Sequence, residues 1–162
     1  MKINIIAAVG KNLELGKDNK LIWPIKEDLK YFKEMTTGKT VVMGENTFYS
    51  IWKVLPNRKN IVLSFAKKDI PGVIVLNDYK KVFDLEEEIF IIGGASIYKL
   101  FLPFADTLYL TEIDKEEEKA DCYFPNFDKN KYKKEIIKTS EDEGIKYSFV
   151  RYKRRSIWKK LD

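Results

Sequence analysis

The sequence predicts an α/β fold built on a mixed, mostly parallel sheet. Two observations carry this. As far as Asp106, short continuous apolar runs alternate with amphipathic stretches, the pattern of strands buried on both faces between covering helices. Beyond Asp106 the runs lengthen, alternate partially and include a hairpin turn, which marks an antiparallel C-terminal edge. Helices are therefore expected on both faces of the sheet.

The apolar runs come first. "INIIAAV" (3–9), "TVVMG" (40–44), "NIVLS" (60–64), "VIVL" (73–76) and "IFIIGG" (89–94) have strand length and no polar interruption on either face. Helices are expected over 24–36, about 46–52, 79–84 and 95–101. Pro24 suits a first helical position, where its missing N–H costs nothing. "TLYLTEID" (107–114), "YKKEIIKTSE" (132–141) and "KYSFVRYKR" (146–154) read as the later strands. "EDEG" (141–144) turns between the last two, since Gly tolerates positive φ. The N-terminal apolar run is at the short limit for a signal-peptide core and ends in "GKN" rather than a cleavage-like site, so it reads as a strand. No apolar run reaches the roughly 18 residues of a membrane span, so the default location is the cytoplasm.

Composition narrows the chemistry. The chain of 162 residues fits one domain, and 44% hydrophobic content supports a core. It holds no histidine and one cysteine, Cys122, which removes His triads, His bases, disulfides and thiolate metal sites. No metal is expected. The net charge is +5, with basic clusters at 129–134 and 151–160 offset by acidic runs. Such clusters are usually a solvated face and a frayed tail, and only rarely a nucleic-acid footprint.

Four places at strand ends draw attention: "AAVG", "VVMGENT", "VLSF" and "IIGGAS". Ligands of open α/β sheets bind outside the carboxyl ends of strands. On helix 24–36, at about 100° per residue, Ile25, Leu29, Tyr31, Phe32 and Met35 share an arc. Asp28 falls inside that arc, whereas Glu27 falls among lysines and reads as ordinary surface. Asp28 either sits at the stripe's edge, reaching solvent or capping a neighbouring loop, or forms the floor of an apolar pocket, facing a ligand with donors or positive charge. "GG" at 93–94, between strand and helix, is either a tight turn or a close approach of backbone to a phosphate. It is not the Gly-x-Gly-x-x-Gly fingerprint. Asn46 or Thr47 caps the next helix or touches a phosphate. Arg58 is either solvated or a carboxylate clamp.

Taken together, "NKLIW", "EDLKYFKEMTTGKTVVMG", "NTFYSI", "LPNRKNIVLS", "IIGGASIY", "LYLTEID" and "ADCYFP" resemble the dihydrofolate reductase family in order and spacing, to about Arg154. The resemblance implies a mixed, mostly parallel eight-stranded sheet in a single domain over 1–154, with a short basic tail at 155–162. It implies hydride transfer from NADPH to C6 of 7,8-dihydrofolate with protonation at N5, feeding one-carbon metabolism and thymidylate synthesis. The expected protein is a cytoplasmic monomer, open to inhibition by folate analogues, with no nucleic-acid or membrane partner. A related reductase acting on another pterin or a pyrimidine is the alternative, and Arg58 argues against it, since such a substrate has no glutamate tail.

By the same resemblance, Asp28 would hydrogen-bond the pterin 2-amino and N3 groups, Thr111 would support it, and Trp23 would hold a bridging water. Water would supply the N5 proton. Ile6, Ala8, Leu29, Phe32, Ile51 and Leu55 would line the pterin and aminobenzoyl pocket, with Ile92 at the junction with the cofactor. Arg58 would bind the glutamate α-carboxylate, with Lys33 and Lys53 near the same tail. The cofactor would touch Ala8, Gly44, Asn46 and Thr47, then Leu63, Ser64 and Phe65. Leu15, Gly16 and Asn19 belong to a loop (15–21) that would close over the nicotinamide. Gly93 and Gly94 would form a cis peptide, and Ala95, Ser96, Ile97 and Tyr98 would cradle the pyrophosphate. Three positions depart from the pattern. Ile22 replaces a common proline. Glu45 stands where an arginine usually binds the adenosine 2′-phosphate, and Ser96 where some members carry a second arginine. The acid at 45 admits NADH as an alternative cofactor, while Ser64, Asn46, Lys67 and Lys68 offer ways to remake a phosphate site.

Overall fold

The computed structural model describes residues 1–18, 20–51, 53–66 and 69–156. Asn19, Lys67, Lys68, the expected helix end at 52 and most of the basic tail lie outside the described residues. The main sheet has eight strands in the order β10-β11-β8-β1-β7-β4-β5-β6. These are β1 (Ile3–Val9), β4 (Thr40–Gly44), β5 (Lys59–Leu63), β6 (Ile74–Leu76), β7 (Ile89–Gly93), β8 (Thr107–Ile113), β10 (Tyr132–Asp142) and β11 (Ile145–Arg154). All pairings are parallel except those made by β11 with β8 and β10. The expected mixed sheet with its antiparallel C-terminal edge is thus present.

Strands β4 and β7 are buried end to end because they carry apolar side chains on both faces. Alternate residues feed two cores. Ile5, Val42, Ile61 and Ile91 join helix α3 (Ala95–Phe101) on one side. Ile6, Val41, Met43, Val62 and Phe90 join α1 (Lys26–Thr36) and α2 (Glu45–Ile51) on the other. A one-residue slip of any central strand would exchange the two sets.

Several expectations need adjustment. Helix α1 starts at Lys26, not Pro24: Ile25 is extended, with φ −101 and ψ 122, which drives its side chain into the core. The segment Tyr79–Leu85 is a 3-10 helix. A small second sheet, β3 (Lys20–Leu21), β2 (Glu14–Lys17) and β9 (Cys122–Tyr123), has strands too short to show a period. The 141–144 turn uses positive φ at Glu143 (50) as well as Gly144 (81). Among the described residues no helix is long and apolar enough to cross a membrane.

Candidate active site

Asp28 sits in the first turn of α1, where that helix passes the carboxyl end of β8. Thr111 of β8, only 2% exposed, donates its hydroxyl to Asp28 Oδ1 at 2.6 Å. Thr111 is flanked by Ala8 on β1 and Phe149 on β11. Burial pushes the Asp28 carboxyl above its ordinary range, and the Thr111 hydrogen bond pulls the other way. The surroundings explain the desolvation. Tyr31 lies 4.4 Å from Phe149, and burial raises its phenol to about 12. Trp23, Ile25 and Ala8 pack in the same cluster. Asp28 is thus half-buried beside an apolar cluster and hydrogen-bonded to Thr111.

Its neighbour Glu27 is not ordinary surface. Glu27 Oε1 accepts from the Tyr147 hydroxyl at 2.7 Å, and Oε2 takes Lys138 Nζ at 2.7 Å. The β10–β11 hairpin is long enough to reach the outer side of α1, which a helical arc alone does not reveal. Lys138 and Tyr147 hold the Glu27 carboxyl below its usual range.

The apolar arc of α1 is poorly covered by protein. Leu29 is 50% exposed, Phe32 and Met35 are half-buried, and Thr36 is the one fully buried residue of the helix. An apolar arc left open beside a desolvated carboxylate is the kind of surface that receives a ligand. Ile6 and Ile92 are buried beneath it, and Leu55 and half-buried Ile51 belong to the same cluster. Arg58 stands at one end, donating Nε to Pro56 O at 2.9 Å and Nη1 to Thr36 Oγ1 at 3.1 Å. Lys33 and Lys53 are exposed. Asn60, absent from the expected set, fixes the turn that presents Arg58. Its side chain accepts from Leu55 N at 2.9 Å and donates to Leu55 O and Arg58 O at 2.9 and 3.0 Å. The signal was a buried Asn opening an apolar strand, and it was available in "RKNIVL".

On the other side of the strand ends, the Gly93–Gly94 peptide is cis, as expected. A Cβ at Gly93 would lie 3.3 Å from Thr47 Oγ1, and one at Gly44 3.0 Å from Ile97 Cγ1. Only glycine lets β4 and β7 end this close to α2 and α3. Tyr98 donates its hydroxyl to Ile6 O at 2.8 Å, tying α3 to β1, and burial raises its phenol far above normal. Asn46 and Ser96 are exposed, and Ala95 and Gly94 are half-buried. Leu63 and Ser64 are buried, whereas Phe65 is 86% exposed. Glu45 opens α2, and its Oε2 accepts from Ser64 Oγ at 2.7 Å.

The loop strand β2, with Leu15 and Gly16, is anchored by a residue that sequence reading missed. Glu14 is 1% exposed and accepts backbone N–H bonds from Asn12 at 2.7 Å and Glu117 at 2.6 Å. Asp121 adds Asp18 N to its carboxylate at 3.0 Å. These bonds join the loop after β1 to the loop after β8.

A carboxylate–hydroxyl pair in an apolar cleft, a guanidinium at its end and a close-packed glycine pair at the strand ends together suit an organic ring with an acidic tail beside a dinucleotide. Comparison with known proteins gives the family. The family model described as dihydrofolate reductase matches residues 2–154. A dihydrofolate reductase of Bacillus subtilis (strain 168) is 40% identical, over 95% of both chains. One from Buchnera aphidicola subsp. Acyrthosiphon pisum (strain APS) is 42% identical, over 92% of this chain and 97% of its own. The structure of Enterococcus faecalis dihydrofolate reductase, complexed with NADP(H) and RAB-propyl, superimposes with a TM-score of 0.88 at 30% identity, covering 96% of this chain and 97% of that one. With the family model spanning nearly the whole chain and relatives at this identity, the chain belongs to the dihydrofolate reductase family.

Proposed function

We propose that the cleft reduces 7,8-dihydrofolate to tetrahydrofolate with NADPH, and that Asp28 holds the pterin. The observation that carries this is the Thr111–Asp28 hydrogen bond of 2.6 Å inside an apolar recess. A carboxylate raised by burial gains from a partner that brings donors, as the 2-amino and N3 groups of a pterin do. Thr111 fixes which carboxylate oxygen is already used, so Asp28 Oδ2 faces the ring. Trp23 orders a water at the same edge. Leu29 and Phe32 close one side of the cleft and Ile51 and Leu55 the other, while Arg58, held by Thr36 and Asn60's turn, pairs with the tail carboxylate.

The glycines at 44, 93 and 94 fit a dinucleotide, since added Cβ atoms at the first two would crowd Ile97 and Thr47. The bound cofactor supplies the hydride to C6. The chain's own residues orient the ring, exclude water and favour protonation at N5 through the negative charge of Asp28, with the proton coming from water. The segment 15–21 would cover the nicotinamide. We also infer a single-domain monomer that acts in the cytoplasm.

The test is the near-ultraviolet absorbance of reduced nicotinamide with purified protein. A dihydrofolate-dependent decrease with NADPH or NADH is expected. No decrease with either cofactor refutes the proposal.

A further inference from the structure

Near the amino end of β8, one sheet face carries positive charge that the fold leaves uncompensated. Thr107 of β8 lies across from Lys153 of β11, and Lys153 from Lys133 of β10. In the next row on that face, Tyr109 lies across from Arg151, and Arg151 from Glu135. Side chains directly opposite each other share a face, so the two rows stand side by side. With Lys2, just before β1, they line a recess of about 250 Å³. Thr107, 3% exposed, lies at its floor, and Lys2, Lys133 and Lys153 are exposed around it. Four cations thus meet one carboxylate, and Arg151 Nη2 already holds Glu135 Oε2 at 2.6 Å. Lys133 and Lys153 are like charges directly opposite, which costs stability in an antiparallel pair. Other lysines of the hairpin have acids: Lys138 meets Glu27 at 2.7 Å and Lys134 meets Glu112 at 3.4 Å. Lys2 reaches Glu88 only at 3.8 Å, while Lys39 holds that carboxylate at 2.8 Å. Helix α1 covers the other half of this face, where Tyr31 packs on Phe149. Thr107 and Thr111 are about 13 Å apart by strand rise, so the recess is separate from the cleft.

We propose that this recess binds an oligophosphate, either free or as the phosphate chain of a nucleotide. Lys133 and Lys153 hold one phosphate between them, which replaces their mutual repulsion with two attractions. Lys2 meets a second phosphate, and the Thr107 hydroxyl donates to an oxygen at the floor. Arg151 neutralises Glu135, which would otherwise repel the anion. Glu135 also breaks the run of cations along the hairpin, so the recess suits a compact anion better than the long backbone of a nucleic acid.

Calorimetry with inorganic triphosphate and with ATP tests this, in magnesium-free buffer with saturating NADP⁺ so that phosphate-binding backbone at the cleft is already occupied. The wild type is expected to bind, more weakly as salt rises. Lys133→Ala/Lys153→Ala is expected to weaken binding about tenfold or more, the size of one lost charge-assisted hydrogen bond. Lys153→Gln alone is expected to act in the same direction. Lys80→Ala/Lys81→Ala removes the same charge near β6, at the opposite edge of the sheet, and should leave binding unchanged. Triphosphate should raise the urea midpoint of the wild type and not that of Lys133→Ala/Lys153→Ala. Without the anion that variant should be at least as stable as the wild type, since a like-charge pair is gone. Tighter binding of ATP makes a nucleotide the source of the phosphates, and tighter binding of triphosphate makes it a free oligophosphate; both support the site. Binding of neither probe, or equal weakening by the two double variants, overturns the proposal. So does tighter binding of a short single-stranded RNA than of triphosphate, which makes the patch a nucleic-acid surface.

Discussion

Glu27 and Asp28 are adjacent on one helix and have opposite fates. The outer side of α1 meets the β10–β11 hairpin, where Lys138 and Tyr147 stabilise the charged form of Glu27. The inner side meets the apolar cleft, where burial disfavours the charged form of Asp28 and only Thr111 opposes it. One step along the helix, about 100°, therefore separates a carboxylate that serves the fold from one that the fold tolerates. A group whose own protein leaves it under-compensated is the one expected to meet a ligand.

The largest effect should come from Asp28→Asn. Turnover is expected to fall by roughly 10²–10⁴ at neutral pH, the range of a charged group acting on a proton-coupled step, with circular dichroism unchanged. Its stability should move the other way. A folded-state pKa raised above the ordinary carboxylate value of about 4 gives stability that is present below that value and lost as pH rises through the raised one. Above that window the Asn variant should match or exceed the wild type in urea midpoint. Near-normal turnover would end the distinction between the two sides of α1.

Glu14 separates burial from under-compensation. It is more deeply buried than Asp28, yet two backbone amides satisfy it. Glu14→Leu should cost roughly 3 kcal/mol of stability, since the amides of Asn12 and Glu117 lose a charged acceptor. It should leave the affinity for folate analogues in the cleft within a few fold. Should it weaken them as much as Asp28→Asn does, burial alone would explain the effect and the comparison would fail.

Thr111→Val tests the opposing contact. Removing the hydroxyl removes the one interaction that lowers the Asp28 pKa, so the carboxyl should titrate higher still. Turnover should drop about tenfold, as expected for one hydrogen bond to a charged group, and the pH profile should move upward. A drop with no pH shift would make Thr111 a packing residue.

How much of this was legible follows from where each signal lives. Asp28 was visible because helical phase is local: it fell inside the arc of Ile25, Leu29 and Phe32. Its pairing with Thr111 spans 83 positions, and nothing in either segment announces it; only the resemblance supplied it. Glu14 was invisible because its partners are backbone amides, which every sequence has. Glu27 was misread for the related reason that Lys138 lies 111 positions away. The sheet was legible because its central strands are apolar on both faces, while β2, β3 and β9 are too short to carry a period. Glu45 was visible only as a departure from the family pattern, and its anchor on Ser64 was not visible at all.

The smallest effect should come from Glu27→Gln, and its value lies in its sign. The folded pKa of Glu27 is lowered, chiefly by Lys138 and then by Tyr147. Its contribution is therefore present above the ordinary carboxylate value and lost as pH falls through the lowered one, the reverse of Asp28. Exposure and salt screen such a pair, so the change at neutral pH should be slight and should shrink further in high salt. Turnover should be unchanged, because the carboxylate faces the hairpin and not the cleft. The deciding measurement is the urea midpoint of the wild type, Glu27→Gln and Asp28→Asn across the acid range. On acidification the Gln variant should converge on the wild type from below and the Asn variant from above. Two curves of the same sign would mean that both carboxylates feel one environment, and the division of α1 into a structural side and a ligand side would be lost.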